Sequence, residues 1–581
     1  MSRLKPIIYD TAYNQKALDQ MQINEEDETY ILKYPTVYIV KDADKQDNYS
    51  VYVGETTDIK RRTVEHITND SKDRADWWEL NHSNTAEMYV IGHEHFNKSM
   101  TLDIENKMMQ YMASVDVVKR VNNRRTNQQN LYYSHDEMEN IFSEIWLKLR
   151  KFDKRLFPLE RTIRDSALFK ASPFHKLTDE QLDAKDKIMA TIETNLKNRT
   201  EKGKLIIVEG DAGSGKTVLM SSLFYELNQL SKAESENPIL RGTSQFLLVN
   251  HDQQLKVYEE IAQKLDIYTS DKQKTVLKPT PFINKYSVNE PVDVVIVDEA
   301  HLLLTQGKQS YTGKNQLNDL LKRARVVVAV FDKKQILSRE QYWEPIQLDN
   351  LLDEVEQQGN LVTLNKQLRI NAGVATIGWI RGLIDRGMVK PLPKHDEKGY
   401  EIKLFDTPQA LQNAIETKAK NEDSGISRIL ATFDWKYVNG KDDNGHPWYV
   451  KIDDWQMPWN LQVPVDDKDQ KRRNKKLAWA EQPQTIDEVG STFTIQGFDL
   501  NYAGVIIGPS VKYRNGRIIF DKTASENSKA TQRRTLEDGT KEDVSEDMLR
   551  NELNVLLSRG VNGLYIYAVD DELRAALKKG I

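Results

Sequence analysis

Residues Leu205 to Leu227 read LIIVEGDAGSGKTVLMSSLFYEL, an apolar run that breaks at glycine and resumes with helical texture. A glycine-rich turn between a strand and a helix can wrap its backbone N–H groups around phosphate oxygens, because glycine tolerates the left-handed backbone the wrap requires. Gly210, Gly213, Ser214 and Gly215 would form that cradle. Lys216 would reach the β- and γ-phosphates, Thr217 would ligate magnesium, and the helix N-terminus would add a favourable dipole. A strand feeding a helix this way belongs to a parallel α/β sheet with crossover helices, so the stretch sets the expected fold from about residue 173 to the end.

The apolar runs that follow end in polar residues suited to the same chemistry. VDVVIVDEAHLLL (292–304) brings Asp298 and Glu299 to a strand end, where buried carboxylates need cationic company. Asp298 would hold magnesium through its water shell and Glu299 would polarise the attacking water. RVVVAVFDKKQIL (325–337) ends in Asp332 and Gln335, an amide placed to meet the γ-phosphate. Arg369 in LNKQLRI and Arg559 in LNVLLSRG follow apolar segments, from which a guanidinium can reach phosphate charge across a cleft.

The order of these segments resembles superfamily 1 helicases. The P-loop, HDQQ, DEAH, FDKKQ, NKQLR, GSTFTIQGFDL and NVLLSRG succeed one another as that superfamily's motifs do, after LTDEQLDAKDKI. The similarity is greatest to a bacterial branch related to the helicase portion of Schlafen proteins. It implies two RecA-like lobes with ATP between them, at 173–370 and 371–581, the second carrying a loop-rich insertion at about 381–480. It also implies that Gln181 reads adenine, that Gln496 faces the nucleotide, and that Arg369 and Arg559 close onto the γ-phosphate. Phe331 departs from the glycine, and Asn554 from the aromatic, common at their positions.

Before this region, YVGETTDIKRRTVEH (52–66) follows the strand-like TVYIV (36–40). A hairpin of the two would set Tyr38 and Tyr52 side by side. Asp58 can cap the next helix, on which Arg62 and His66 share a face, whereas Arg61 lies about 100° away. Farther on, Leu102, Glu105, Met109 and Met112 recur at helical spacing, so a carboxylate sits in an apolar stripe, where it needs a partner or a metal. Such groups suit phosphodiester hydrolysis. Tyr38 would act as base or water positioner, Arg62 would contact phosphate, His66 and Tyr52 would orient the network, and Glu105 would hold a divalent cation. The set resembles the GIY-YIG nuclease family, which adds a late asparagine, here Asn122; Thr36 replaces the first glycine of its signature.

The expected class is therefore α/β. A small GIY-YIG-type α/β nuclease domain at 34–130, after a lead-in at 1–33, would be joined by a helical connector at 131–172 to two RecA-like parallel-sheet P-loop lobes. The 581 residues exceed a single core, and 39% hydrophobic with 29% charged residues is globular composition. With no cysteine, any metal must be held by oxygen or imidazole, which favours magnesium or manganese. The net charge of −6 leaves room only for local basic grooves. VVVAVF (326–331) is far shorter than the roughly 20 residues of a membrane span, and no leader pattern opens the chain, so a cytoplasmic protein without membrane contact is expected.

Other features stay open. KRVNNRR (119–125) and KRRNKK (471–476) are phosphate contacts or solvated faces, and Trp435, Trp448, Trp455 and Trp459 stack on bases or pack a core. His93 and His95 lack an evident third metal ligand. The resulting expectation is an ATP-dependent enzyme with nucleic acid as partner, DNA ahead of RNA, in bacterial DNA metabolism or defence. Its rivals are a nucleic-acid-binding ATPase whose first domain only recognises substrate, and an ATP-driven switch. Oligomeric state is left open.

Overall fold

The computed structural model describes residues 5–70, 80–122, 132–197, 202–210, 213–268, 273–308, 310–421, 425–438, 440, 445–475 and 477–579. The chain forms two compact units. One comprises Met1–Thr178, Val218–Asn237 and Val257–Thr275; the other comprises Asp179–Thr217, Pro238–Lys256 and Val276–Ile581.

The first unit is built on strands β1 (Ile7–Ala12), β2 (Thr36–Ala43), β3 (Tyr49–Thr56), β4 (Glu87–Gly92) and β5 (Val118–Val121), in the order β1-β4-β2-β3-β5. All neighbours are antiparallel except β3 and β5. Helix α1 (Ile59–Glu65) starts at Asp58, whose carboxylate accepts the Arg61 N–H at 3.0 Å, a cap of the kind that contributes about 1 kcal/mol. Helix α2 (Lys98–Ser114) is capped likewise by Asn97, and α3 (Met138–Phe152) turns Phe142, Trp146 and Leu149 inward. The lead-in at 1–33 supplies β1, an edge strand of this sheet. Its alternation IIYDTA is too short and too polar to stand out.

The second unit holds two wholly parallel sheets. Helix α4 (Asp179–Lys197) precedes β6 (Lys204–Gly210), α5 (Lys216–Ser231), β7 (Gln245–Val249), α6 (Asp252–Lys264), β8 (Val276–Leu277), β9 (Val292–Asp298), β10 (Ala324–Phe331) and β11 (Leu361–Leu364), with α5 from Val218 and α6 from Val257 belonging to the first unit. The first sheet has the order β11-β6-β10-β9-β7-β8. Its central strands are near-continuous valine and isoleucine because both faces are covered, and Val295, Val297, Val327 and Phe246 lie in one buried cluster.

The second sheet contains β12 (Glu401–Leu404), β13 (Ser427–Ala431), β16 (Val489–Gly490), β17 (Leu500–Ile507) and β18 (Gly560–Ala568), in the order β12-β18-β17-β13-β16. A hairpin of β14 (Tyr449–Ile452) and β15 (Trp455–Pro458) stands apart, and helices α7 (Pro408–Lys420) and α8 (Ser545–Leu557) belong to the same part of the chain. The loop-rich insertion expected at about 381–480 is thus interrupted, because 401–404 and 427–431 are strands of the sheet and 408–420 a helix. The Trp-, Pro- and charge-rich texture of that stretch hid these short strands, of which β13 is buried and β12 only partly so. The tryptophans resolve toward packing: Trp459 is fully buried against Phe433 and Trp435.

Glu552 and Asp434 are neighbouring buried acids in this part of the chain. Glu552 on α8 accepts the Phe433 N–H at 3.0 Å. Burial, then the neighbouring Asp434 carboxylate, pushes Glu552 up to about 8, and burial pushes Asp434 up to about 6. Both folded values exceed the unfolded ones of about 4. The folded chain therefore keeps protons that the unfolded chain has released, and the resulting stability is complete below about pH 4 and lost as pH rises through about 8. Calorimetry should show the melting temperature falling across that window, and Glu552→Gln should flatten the fall.

Candidate functional site

Because β6, β10 and β9 are adjacent and parallel, their C-terminal ends share one edge, and the loops that carry chemistry must meet there. Gly213 and Gly215 adopt φ of +92° and +78°. A Cβ on Gly213 would fall 2.4 Å from the Arg369 Cβ, and one on Gly215 would fall 2.2 Å from the Gln181 amide nitrogen. Gln181 is therefore seated directly on the loop, and Arg369 stands against it. The Leu368 N–H donates to the Gly213 carbonyl at 2.8 Å.

Lys216 is buried, bonds the Gly210 carbonyl, and lies 3.8 Å from the Asp332 carboxylate. Burial alone would push the Asp332 carboxyl up, but Lys216 and His301 outweigh it and hold the group below its ordinary value. The Gln335 amide donates to Asp332 at 2.7 Å, and the Arg559 guanidinium donates to the Gln335 carbonyl oxygen at 3.1 Å. A continuous polar line thus runs from the P-loop lysine to an arginine next to β18. Arg559 is fully buried, and burial followed by the adjacent Arg369 pushes it down to about 10, so it remains a cation at neutral pH. Arg369 pairs with Asp499 at 2.6 Å.

Asp298 receives the Gln254 amide at 2.8 Å and the Glu299 N–H at 3.0 Å. Glu299 has φ of +52°, a strained backbone for a residue with a Cβ, of the sort that collects at functional sites. Its carboxylate lies 3.2 Å from His301, whose imidazole burial holds below its ordinary value. Among the described residues, Ser214 Oγ, Gln254 Oε1, Arg369 Nη1 and Gln496 Nε2 are buried without a hydrogen-bond partner. Cradle, ammonium, guanidinia and such idle polar atoms fit a polyphosphate with magnesium, for which Thr217 and Asp298 are the available oxygens. The Gln254 contact to Asp298 escaped sequence reading; its signal was the second glutamine of HDQQ.

In the first unit, register sets Tyr38 opposite Gly54 and Val40 opposite Tyr52, so both phenols leave the same face of the sheet. Their rings stack at 5.9 Å, and Tyr52 meets the His66 ring edge-on at 5.4 Å. The Tyr38 hydroxyl and His66 Nε2 are 2.7 Å apart. A Cβ on Gly54 would lie 2.5 Å from that hydroxyl, so only glycine leaves room for the pair. Arg62 is close enough for its charge to act on the Tyr38 phenol, which burial, then Tyr52, nevertheless pushes well up. Arg62 pairs with Glu65 and is 33% exposed, whereas Arg61 is 66% exposed and turns outward.

The structure thus brings Tyr38, Tyr52, Arg62 and His66 together, with Tyr38 only 1% exposed. Glu105 comes from another direction. Thr101, one turn earlier on α2, bonds Glu55 at 3.4 Å, and Glu55 alternates with Gly54, so α2 packs on the opposite face of the sheet. Glu105 is buried there. Asn122 follows β5, its N–H donating to the Val51 carbonyl at 2.8 Å and its buried Nδ2 unpaired among the described residues. No group of three or more His, Asp or Glu that could hold a metal occurs among the described residues. His93 is buried, and His95 bonds Glu137 instead. Residues 123–125 of KRVNNRR and Lys476 of KRRNKK lie outside the described residues. No helix among the described residues is long and apolar enough to cross a membrane.

Residues 203–570 match the family described as Schlafen group 3, DNA/RNA helicase domain. The uncharacterized protein YPL245W of Saccharomyces cerevisiae is 34% identical over 434 residues, which span 69% of this chain and 90% of that protein. Among solved structures, the DUF1998 helicase MrfA bound to DNA and AMPPNP matches at a TM-score of 0.30 and 10% identity over 72% of this chain. The chain spans about half the length of that helicase, 52%, and so loose a likeness carries no weight here.

Proposed function

The chain belongs to the Schlafen group 3 DNA/RNA helicase domain family, and on that premise we propose that residues 179–581 hydrolyse ATP and use it to act on a nucleic acid, DNA ahead of RNA. The observation that carries this reading is the line Lys216–Asp332–Gln335–Arg559. It ties the phosphate loop to a guanidinium contributed from beside the second sheet, so that charge on a γ-phosphate would be felt by both sheets. In this reading Lys216, Arg369 and Arg559 neutralise phosphate charge, Glu299 orients the attacking water, and Gln181 contacts the adenine. Magnesium held by Thr217 and Asp298 would offset charge on the β- and γ-phosphates.

The first unit, in the same proposal, is a GIY-YIG-like metal-dependent endonuclease acting on the same class of substrate. Tyr38, kept neutral by burial, relays a proton from water to His66, Arg62 meets the phosphate, and Tyr52 and Asn122 position the network. Glu105 lies on α2 at the opposite face of the sheet, so a magnesium ion at this cluster would be held by its waters and the phosphate oxygens. A cytoplasmic setting and a role in DNA metabolism or defence belong to the proposal too. The burial of Tyr38 favours a second reading, in which this unit recognises nucleic acid without cutting it. The test is ATP turnover with and without single-stranded DNA or RNA, alongside nicking of supercoiled DNA with magnesium. Stimulated turnover with nicking supports the whole proposal, stimulated turnover without nicking selects the second reading, and turnover indifferent to nucleic acid contradicts both.

A further inference from the structure

We propose that Arg534 is a positioning residue of the ATPase site: from a hairpin between β17 and α8, it sets the two loops that carry Glu299 and Gln335. This role rests on the ATP-hydrolysis reading above and adds a residue that none of the helicase-like motifs contains.

Residues 508–544 leave the second sheet after β17 and return to it at α8. Within them the short strands Arg534–Thr535 and Lys541–Glu542 pair antiparallel. The start of the segment is tied to the second sheet's surroundings, since the Asp521 N–H donates to the Ser510 carbonyl at 2.7 Å and the Glu526 N–H to the Phe433 carbonyl at 3.0 Å. Its far part belongs to the first sheet. Ala530 and Val544 lie in the same buried cluster as Val295, Val327, Tyr342 and Trp343, and the Glu344 carboxylate accepts the Glu537 N–H at 2.8 Å.

Arg534 is 6% exposed in this contact. One end of its guanidinium donates to the Arg339 carbonyl at 3.1 Å; the other donates to the Thr305 carbonyl at 2.9 Å and to the Thr305 hydroxyl oxygen at 3.1 Å. Thr305 follows β9 by way of Glu299, and Arg339 follows β10 by way of Gln335. The two loops also meet each other at this point, where the Thr305 N–H donates to the Glu340 carbonyl at 2.8 Å and the Thr305 hydroxyl to the Tyr342 carbonyl at 2.7 Å. Arg534 thus closes a node through which movement of one loop passes to the other. Just upstream of it stand the strained Glu299 and the Gln335 that holds Asp332 beside Lys216.

A guanidinium in such a place is costly. Its Nε–H is buried without a hydrogen-bond partner among the described residues, and its other bonds go to neutral oxygens rather than to a carboxylate. Burial pushes the group below its ordinary value, against the opposing charges of Glu344 and Glu340. Docking of the hairpin does not require that cost, because Ala530, Val544 and Leu536 already supply apolar contact. What an apolar side chain cannot do is hold the carbonyls of two loops at once, and a planar fork of donors can. Displacing a catalytic group by about 1 Å is enough to cost much of a rate, and the fork opposes that displacement for both loops. Among the described residues its hydrogen bonds go to these loops and not to the phosphate cradle, so ATP affinity should not depend on it.

The test is steady-state ATP turnover by the full chain with magnesium and single-stranded DNA or RNA, wild type against Arg534→Met, which keeps the bulk and loses the fork. The kcat should fall about tenfold while KM for ATP stays within about a factor of two, at a melting temperature close to that of wild type. Thr305→Val, which leaves Arg534 in place and removes the hydroxyl that joins the loops, should lower kcat in the same direction at unchanged KM. A wild-type kcat in Arg534→Met, or a raised KM with kcat kept, would overturn the positioning role and leave ATP hydrolysis standing. If Arg534→Met does not fold, Thr305→Val decides, and an unchanged kcat there overturns the role. Wild type without turnover would overturn both the role and the hydrolysis reading.

Discussion

Arg559→Ala is expected to lower ATP turnover by about three orders of magnitude, the loss typical of removing an arginine that meets transition-state phosphate charge. The size follows from the setting. Arg559 is buried, its nearest acidic partner Asp499 is 3.8 Å away, and one of its N–H groups already points to Gln335, whose own amide holds Asp332 beside Lys216. No solvent screens a charge placed there, so its removal acts at full strength on the phosphate. Arg559→Lys keeps the charge and loses the fork, and should fall between wild type and alanine. Since the Arg559 Nε–H also donates to the Val555 carbonyl at 3.0 Å, melting temperatures of both variants distinguish lost chemistry from lost folding. Turnover should collapse in an Arg559→Ala protein that still folds.

The second large effect concerns the first unit. Arg62→Ala should reduce magnesium-dependent nicking of supercoiled DNA by about a hundredfold or more, the usual consequence of deleting a donor aimed at developing phosphate charge. Of the four clustered groups, Arg62 combines partial exposure with an influence on the buried phenol, so it is the one a phosphate can meet. Arg61→Ala, which removes an outward guanidinium paired with Glu65, should leave nicking within a factor of about two, as exposed pairs are worth little. Equal rates in wild type and Arg62→Ala would leave the recognition reading in place of the cutting one.

The parts of the fold legible in the sequence were those specified locally. The P-loop turn is fixed by glycines that must adopt positive φ, and the strands that end in Asp298 and Asp332 announce themselves as unbroken apolar runs because parallel strands are covered on both faces. Tyr38, Tyr52 and His66 were legible as neighbours because hairpin register and helical spacing are both short-range rules. Features that depend on distant chain were not. Nothing in IIYDTA announces that it closes the edge of a sheet against β4, and a polar stretch concealed β12 and β13. The burial of Tyr38 in an apolar cluster with Tyr13, Ile31 and Ile59 is a feature that alternation along one hairpin cannot reveal. Glu105 was legible as an acid in an apolar stripe, but helical spacing carries no information about which face of the sheet that stripe would cover.

ATP hydrolysis by purified protein with magnesium, compared between wild type and Lys216→Ala, tests the central claim most directly. Lys216 is the buried ammonium on which the phosphate loop and Asp332 converge. Steady phosphate release by wild type and none above background by Lys216→Ala is the predicted result. Equal release by the two proteins, or no release by a folded wild type in the presence of single-stranded DNA or RNA, would contradict it.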